Sequence, residues 1–288
     1  MLRREILCER ELFPPMHRAD VTTGHADVNG TRLYYETAGR GTPVVFVHGL
    51  CLDRRMWDDQ FDALADCYRV VRYDVRGFGA SAVPTAAEFR HADDLHALLE
   101  HLEIPAAHVV GLSMGGRIAL HHALLYPEST LTLTLVDSAL DGFAWSDEWV
   151  ASLDAIEEHA LRDGAKAGNA IWLQHELFAP ARERPAVAAK LAQIVDECSG
   201  WNWVNETPVV GIDPPGGARL ADVAMPALVV VGERDLPDFL AIADALAAGI
   251  PHAKKAVIAG AGHMSNMERP AEFNALLLEF LQAHTATA

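Results

Sequence analysis

The stretch Val109-Val110-Gly111-Leu112-Ser113-Met114-Gly115-Gly116 decides how this chain is read. An apolar run over residues 107–110 leads into it, and Arg117-Ile118-Ala119-Leu120-His121-His122-Ala123-Leu124-Leu125 continues it with helical character. Strand, Gly-x-Ser-x-Gly and helix in immediate succession force the central serine into a tight, strained turn that exposes its hydroxyl. The flanking glycines remove the Cβ atoms that would clash in such a turn. Ser113 is therefore the candidate nucleophile.

The same rhythm extends to both sides. Asn29-Gly30 between two alternating stretches, residues 21–30 and 31–37, predicts an antiparallel hairpin. Val44-Val45-Phe46-Val47 is continuously apolar, as a strand buried on both faces requires. A helix over about residues 55–65, the strand Val70-Val71-Arg72-Tyr73, a helix over about residues 86–102 and the strand ending at Ser113 follow. Beyond the serine helix, Leu131-Thr132-Leu133-Thr134-Leu135-Val136 is another strand. Strands alternating with helices specify βαβ units and a parallel sheet covered by helices on both faces.

The alternation stops near Ser138. Residues 138–222 show helical stretches, no clear strand and five of the six tryptophans: Trp145, Trp149, Trp172, Trp201 and Trp203. The βα rhythm resumes with Ala227-Leu228-Val229-Val230-Val231-Gly232 and runs through a helix, the strand Lys255-Ala256-Val257-Ile258 and a last helix over about residues 271–283. The predicted organisation is an N-terminal arm over residues 1–20, a core domain over 21–137 and 223–288, and a helical cap over 138–222.

Composition narrows the function classes. The formal charge is −17, from 40 acidic and 23 basic residues, which argues against nucleic acid or an anionic membrane as partner. No apolar run reaches 18 residues. The first residues lack an apolar signal core, and Cys8, Cys51, Cys67 and Cys198 show no metal spacing, so free thiols in a cytoplasmic protein are expected.

A serine hydroxyl needs a base, and the base an orienting acid. Ligand groups in parallel α/β sheets gather beyond the carboxyl ends of strands. Asp235 stands just beyond one strand in Gly232-Glu233-Arg234-Asp235, and His263 beyond the next in Ala259-Gly260-Ala261-Gly262-His263. The order Ser, Asp, His is that of a nucleophile elbow on an α/β sheet. Asp137 also follows a strand and is the second candidate for the acid. The N–H groups of Met114 and Leu50 are the expected oxyanion donors, with His48 bracing the Leu50 loop. Cys51, Trp57, Trp145, Trp172, Trp201 and Trp203 are candidates for the substrate pocket. His121 and His122 are read as packing residues. No metal-ligand spacing, dinucleotide fingerprint or phosphate-loop lysine is present, and no cofactor is expected.

These residues resemble the α/β-hydrolase superfamily, over about residues 23–137 and 222–283. His48-Gly49, Arg76-Gly77-Phe78-Gly79-Ala80-Ser81, Gly111-Leu112-Ser113-Met114-Gly115, Gly232-Glu233-Arg234-Asp235 and Gly262-His263 carry the likeness. It looks most like the cofactor-independent bacterial esterases, enol-lactonases, perhydrolases and C–C bond hydrolases. The resemblance implies a mostly parallel eight-stranded sheet flanked by helices, an inserted helical cap, and Ser113, His263 and Asp235 as nucleophile, base and acid. Dehalogenases and epoxide hydrolases of the superfamily carry Asp where Ser113 stands. The activity so implied is hydrolysis of a small to medium apolar ester or lactone. C–C hydrolysis or perhydrolysis is the alternative, and a small-molecule receptor that keeps the triad is a second.

Overall fold

The computed structural model describes residues 21–85 and 87–285, so the arm expected over residues 1–20 lies outside the described residues. Eight strands, β1 (Thr22–Val28), β2 (Thr31–Ala38), β3 (Pro43–Val47), β4 (Arg69–Tyr73), β5 (Ala107–Leu112), β6 (Thr130–Val136), β7 (Ala227–Gly232) and β8 (Lys254–Ile258), form one sheet in the order β1-β2-β4-β3-β5-β6-β7-β8. β1, β2 and β4 pair antiparallel, and every pairing from β4 through β8 is parallel. The hairpin turn has Asn29 at φ 46° and Gly30 at φ 69°, the left-handed pair that a type I′ turn requires.

Burial follows the hydrophobic pattern. β5 and β7 are buried along their whole length, whereas β8, at the edge, exposes both lysines. Continuous apolar runs thus occupy the middle of the sheet, where helices cover both faces. The helices α1 (Asp58–Leu64), α2 (His91–His101) and α3 (Met114–Leu125) alternate with the strands before β6. α2 packs on α3, and α3 on β5 and β6. α2 begins later than the sequence pattern predicts. Phe89 instead forms an isolated bridge with Val209 and Arg90 is extended (φ −116°, ψ 135°), so the preceding backbone is drawn toward a distant segment.

Between β6 and β7 lie α4 (Asp147–Asp163), α5 (Ala165–Gln174), α6 (Ala179–Arg182), α7 (Pro185–Glu197) and α8 (Trp201–Val204). None of the sheet's strands falls in this segment. Its helices pack on one another, α4 on α5 and α8, and α5 on α7. A chain of aromatic contacts runs through them: Trp145 stacks on Trp149 (5.2 Å between centroids), Trp149 meets Trp172 (6.4 Å), and Trp172 meets Trp203 (5.8 Å). After β7 come α9 (Pro237–Gly249), which packs on β7, then α10 (Ser265–Glu268) and α11 (Pro270–His284), which packs on α1.

No described helix is long and apolar enough to cross a membrane. Cys51 and Cys198 are free thiols. Cys67 is disulfide-bonded, which corrects the expectation that all the cysteines are free.

Candidate active site

β5 passes into α3 through Ser113, whose backbone sits at φ 57°, ψ −118°. For a residue with a Cβ this is a strained conformation. The surroundings over-determine it. Ser113 N–H donates to Val136 O (2.9 Å), and Ser113 O accepts from Gly116, Arg117 and Ala139 N–H. The glycines of the motif are required by close approach: a Cβ on Gly115 would lie 2.2 Å from Val47 O, and one on Gly111 would lie 2.1 Å from Gly115 O. The sharp turn and tight packing against the β3 loop are therefore one constraint.

Asp235 and His263 are brought together across the ends of β7 and β8. His263 Nδ1 donates to Asp235 Oδ2 at 2.9 Å, and Asp235 Oδ1 accepts from Leu236 N–H at 2.7 Å. His263 Nε2 is buried and has no hydrogen-bond partner among the described residues. Burial pushes the imidazole pKa down to about 4, against the opposing pull of Asp137 and Glu268. Burial also pushes the Asp235 carboxyl up, opposed by the Leu236 N–H. The His263 loop is clamped from beneath. Glu268 accepts from Gly262 N–H (3.0 Å) and Met264 N–H (3.2 Å) and pairs with Arg184, which also donates to Gly260 O (2.7 Å).

Asp137, the other acid candidate, is fully buried between the same strand ends. Its Oδ1 accepts from Gly232 N–H (2.7 Å) and its Oδ2 from the Ser265 hydroxyl, with no hydrogen bond to His263. Burial and the neighbouring Asp235 charge push its pKa up, which favours a protonated carboxyl. Of the two acid candidates, Asp235 is the one hydrogen-bonded to His263.

His48 is buried in the loop after β3, where its Nε2 accepts from Val75 N–H (2.9 Å) and its Nδ1 meets Gly49 O (2.8 Å). A Cβ on Gly49 would touch the Ser113 Cβ at 3.4 Å, so this loop lies directly over the serine. Leu50 follows. Met114 is the first residue of α3, where an N–H has no intrahelical acceptor.

A cavity of about 320 Å³ opens against Leu50 and Met114, walled by Phe78, Ile118 and Trp201. Of the aromatic candidates nominated from sequence, only Trp201 lines it. Trp57 is fully buried against Phe46 (4.8 Å) and Phe273 (6.1 Å), in the core of the sheet domain. Trp172 and Trp203 are buried within the inserted helices, where Trp203 Nε1 donates to Asn169 Oδ1 (2.9 Å). Cys51 is wholly buried behind its loop, its Sγ 3.5 Å from Asn202 Oδ1. The largest rings close a small helical core before they can serve as walls. Trp145 lies against Phe239 (5.4 Å), and Phe239 against His263 (4.3 Å). Phe239, Glu268, His91, Arg117 and His121 were not singled out for the site from sequence. Phe239 and Arg117 each stand one turn beyond a nominated residue, the only local signal they carry. His121, read as packing, lines the cavity and bonds Asp141 (2.8 Å).

The family model described as the alpha/beta hydrolase fold matches residues 42–270. The chain belongs to the alpha/beta hydrolase family. It is 28% identical over 268 residues to 3-oxoadipate enol-lactonase 2 of Acinetobacter baylyi, which covers 91% of this chain and 96% of that protein. Among solved structures it is similar to a malate-bound thermophilic esterase of Thermogutta terrifontis. That match has a TM-score of 0.76 and 28% identity, over 92% of this chain and 100% of that one. The enol-lactonase of Burkholderia xenovorans LB400 gives a TM-score of 0.76 at 27% identity, over 90% of this chain and 100% of that one.

Proposed function

We propose that this chain hydrolyses a small to medium carboxylic ester or lactone through an acyl-enzyme on Ser113. The observation that carries the reading is the buried imidazole of His263, tied at Nδ1 to Asp235 and, among the described residues, unpartnered at Nε2. An imidazole so held offers one fixed lone pair, which is what a general base for a hydroxyl needs. The similarity to enol-lactonases and an esterase supports a hydrolase acting on ester bonds.

In this mechanism Ser113 Oγ attacks the carbonyl carbon while His263 Nε2 takes its proton. The oxyanion accepts from the N–H groups of Leu50 and Met114, which cost no reorganisation because the elbow and the β3 loop already fix them. Asp235 holds the Nδ1–H tautomer and stabilises the imidazolium. The imidazolium returns the proton to the departing alkoxide. Water, deprotonated by His263, then releases the acid and restores Ser113. Residues 138–222 act as a cap, with Arg184 tying it to the His263 loop and Trp201 meeting the cavity.

A fluorophosphonate probe and a panel of aryl esters test this. Ser113 should carry the label, the enzyme should turn over many times, and Ser113→Ala should abolish both. An adduct on another residue, or undiminished turnover by Ser113→Ala, overturns the proposal.

A further inference from the structure

We infer that the cavity beside Leu50 and Met114 is a subsite for a carboxylate borne by the acyl part of the substrate, with Arg117 as its counter-ion. The inference rests on the reading of Ser113 as the nucleophile. It replaces the apolar substrate expected from sequence with a short, singly charged one.

Arg117 follows Ser113 by four residues on α3, so the two share one helix face a single turn apart. Its backbone N–H donates to Ser113 O (3.2 Å), and its side chain lines the cavity. Among the described residues the guanidinium has neither a hydrogen bond nor an ion pair. It is part-buried at the cavity wall, and desolvation pushes its pKa down, with Asp141 opposing. A part-buried guanidinium with no protein acceptor keeps its planar fork free, and an entering carboxylate can take it through two parallel hydrogen bonds.

The other charged and titratable groups facing the cavity are already committed. Asp141 gives Oδ1 to His121 Nε2 and Oδ2 to Gly216 N–H, both at 2.8 Å. Arg76 is spent on Asp94 (2.9 and 2.6 Å) and on Asn29 O (2.7 Å). Burial, reinforced by the Arg117 charge, pushes the pKa of His91 down to about 3, so it is neutral at physiological pH. Its Nδ1 has no partner among the described residues. Asp141 attracts Arg117 without bonding it, so among the described residues Arg117 is the cation of this cavity that lacks a hydrogen-bonded acceptor, which matches a single carboxylate better than a phosphate dianion. Ile118, Phe78 and Met114 supply apolar wall for a short chain between the carboxylate and the reacting carbonyl.

The test compares kcat/KM for an aryl half-ester of glutaric acid with that for the same aryl ester of monomethyl glutarate. The wild type should favour the half-ester. In Arg117→Gln the ratio of the two should fall by about ten- to a hundredfold, chiefly through KM of the half-ester. Arg117→Lys should retain part of the preference, because a point charge replaces the fork. Lys also serves as the variant should Gln fail to fold. An unchanged ratio in both variants overturns the subsite while leaving the serine mechanism intact.

Calorimetry with glutarate gives a readout free of turnover. Glutarate should bind the wild type and Ser113→Ala and lose its affinity in Arg117→Gln. If neither ester is hydrolysed and Ser113 takes no label, the nucleophile reading fails, and glutarate binding still decides the subsite. No binding to the wild type, or equal binding to Arg117→Gln, overturns it.

Discussion

The ring of Phe239 lies 4.3 Å, centroid to centroid, from the imidazole of His263. Phe239 is itself 2% exposed and meets Trp145 and Trp149, so it links the aromatic rings of the inserted segment to the histidine. The ring covers one side of an imidazole whose burial lowers its pKa to about 4. A base must be neutral to act, and a lowered pKa keeps it neutral to lower pH. The acid limb of kcat/KM for an aryl ester should therefore lie below the ordinary imidazole pKa of about 6.5. Phe239→Ala admits water and should move that limb upward. A limb that stays put or moves down in the variant would count against this control by burial.

Asp235→Asn should lower kcat by about 10³–10⁴-fold, because the amide favours the wrong tautomer of His263. Asp137→Asn should cost far less. The buried Asp137 carboxyl already favours its neutral form, and an amide oxygen can still accept from Gly232 N–H. Steady-state kinetics that rank the two variants the other way would move the acid to Asp137.

Glu268 fixes the backbone on either side of His263 with a carboxylate that has no exposed surface. Glu268→Gln leaves Arg184 without its charge partner and turns an amide toward N–H donors. Stability to denaturant should drop by about 3 kcal/mol. Arg184→Gln should cost less, since Arg184 is partly exposed. Chemical denaturation of the two variants checks the order.

Trp201 and Trp203 should separate cleanly. Trp203 is 6% exposed and hydrogen-bonded to Asn169, so Trp203→Ala should lower stability by about 3–5 kcal/mol. Trp201 lines the cavity, and Trp201→Ala should change KM unequally across acyl groups of different length with little shift in Tm. Thermal melts paired with kinetics on an acyl series read both outcomes.

Much of this was legible in the sequence, because the decisive signals are local. A Gly-x-Ser-x-Gly turn flanked by a strand and a helix carries its own geometry, and continuous apolar runs mark strands buried on both faces. Such patterns located the sheet, the insertion after β6 and the elbow at Ser113. They left Asp235 and Asp137 as rivals, since both follow strands. Only folding places His263 Nδ1 at 2.9 Å from one of them and Ser265 and Gly232 against the other. Composition could nominate tryptophans but not their neighbours, so Trp57 and Trp203 turned out to be core and Trp201 to be wall. Arg117 was invisible for the same reason. Every arginine is a cation in sequence, but whether a carboxylate stands beside it is decided by residues as distant as Asp141 and Gly216 and by the water that folding removes. The sequence by itself determined the order of strands and helices and the serine turn. The tertiary structure alone decided which charges are paired, which rings are buried and which acid meets the histidine, because those depend on contacts between chain segments that no local pattern encodes.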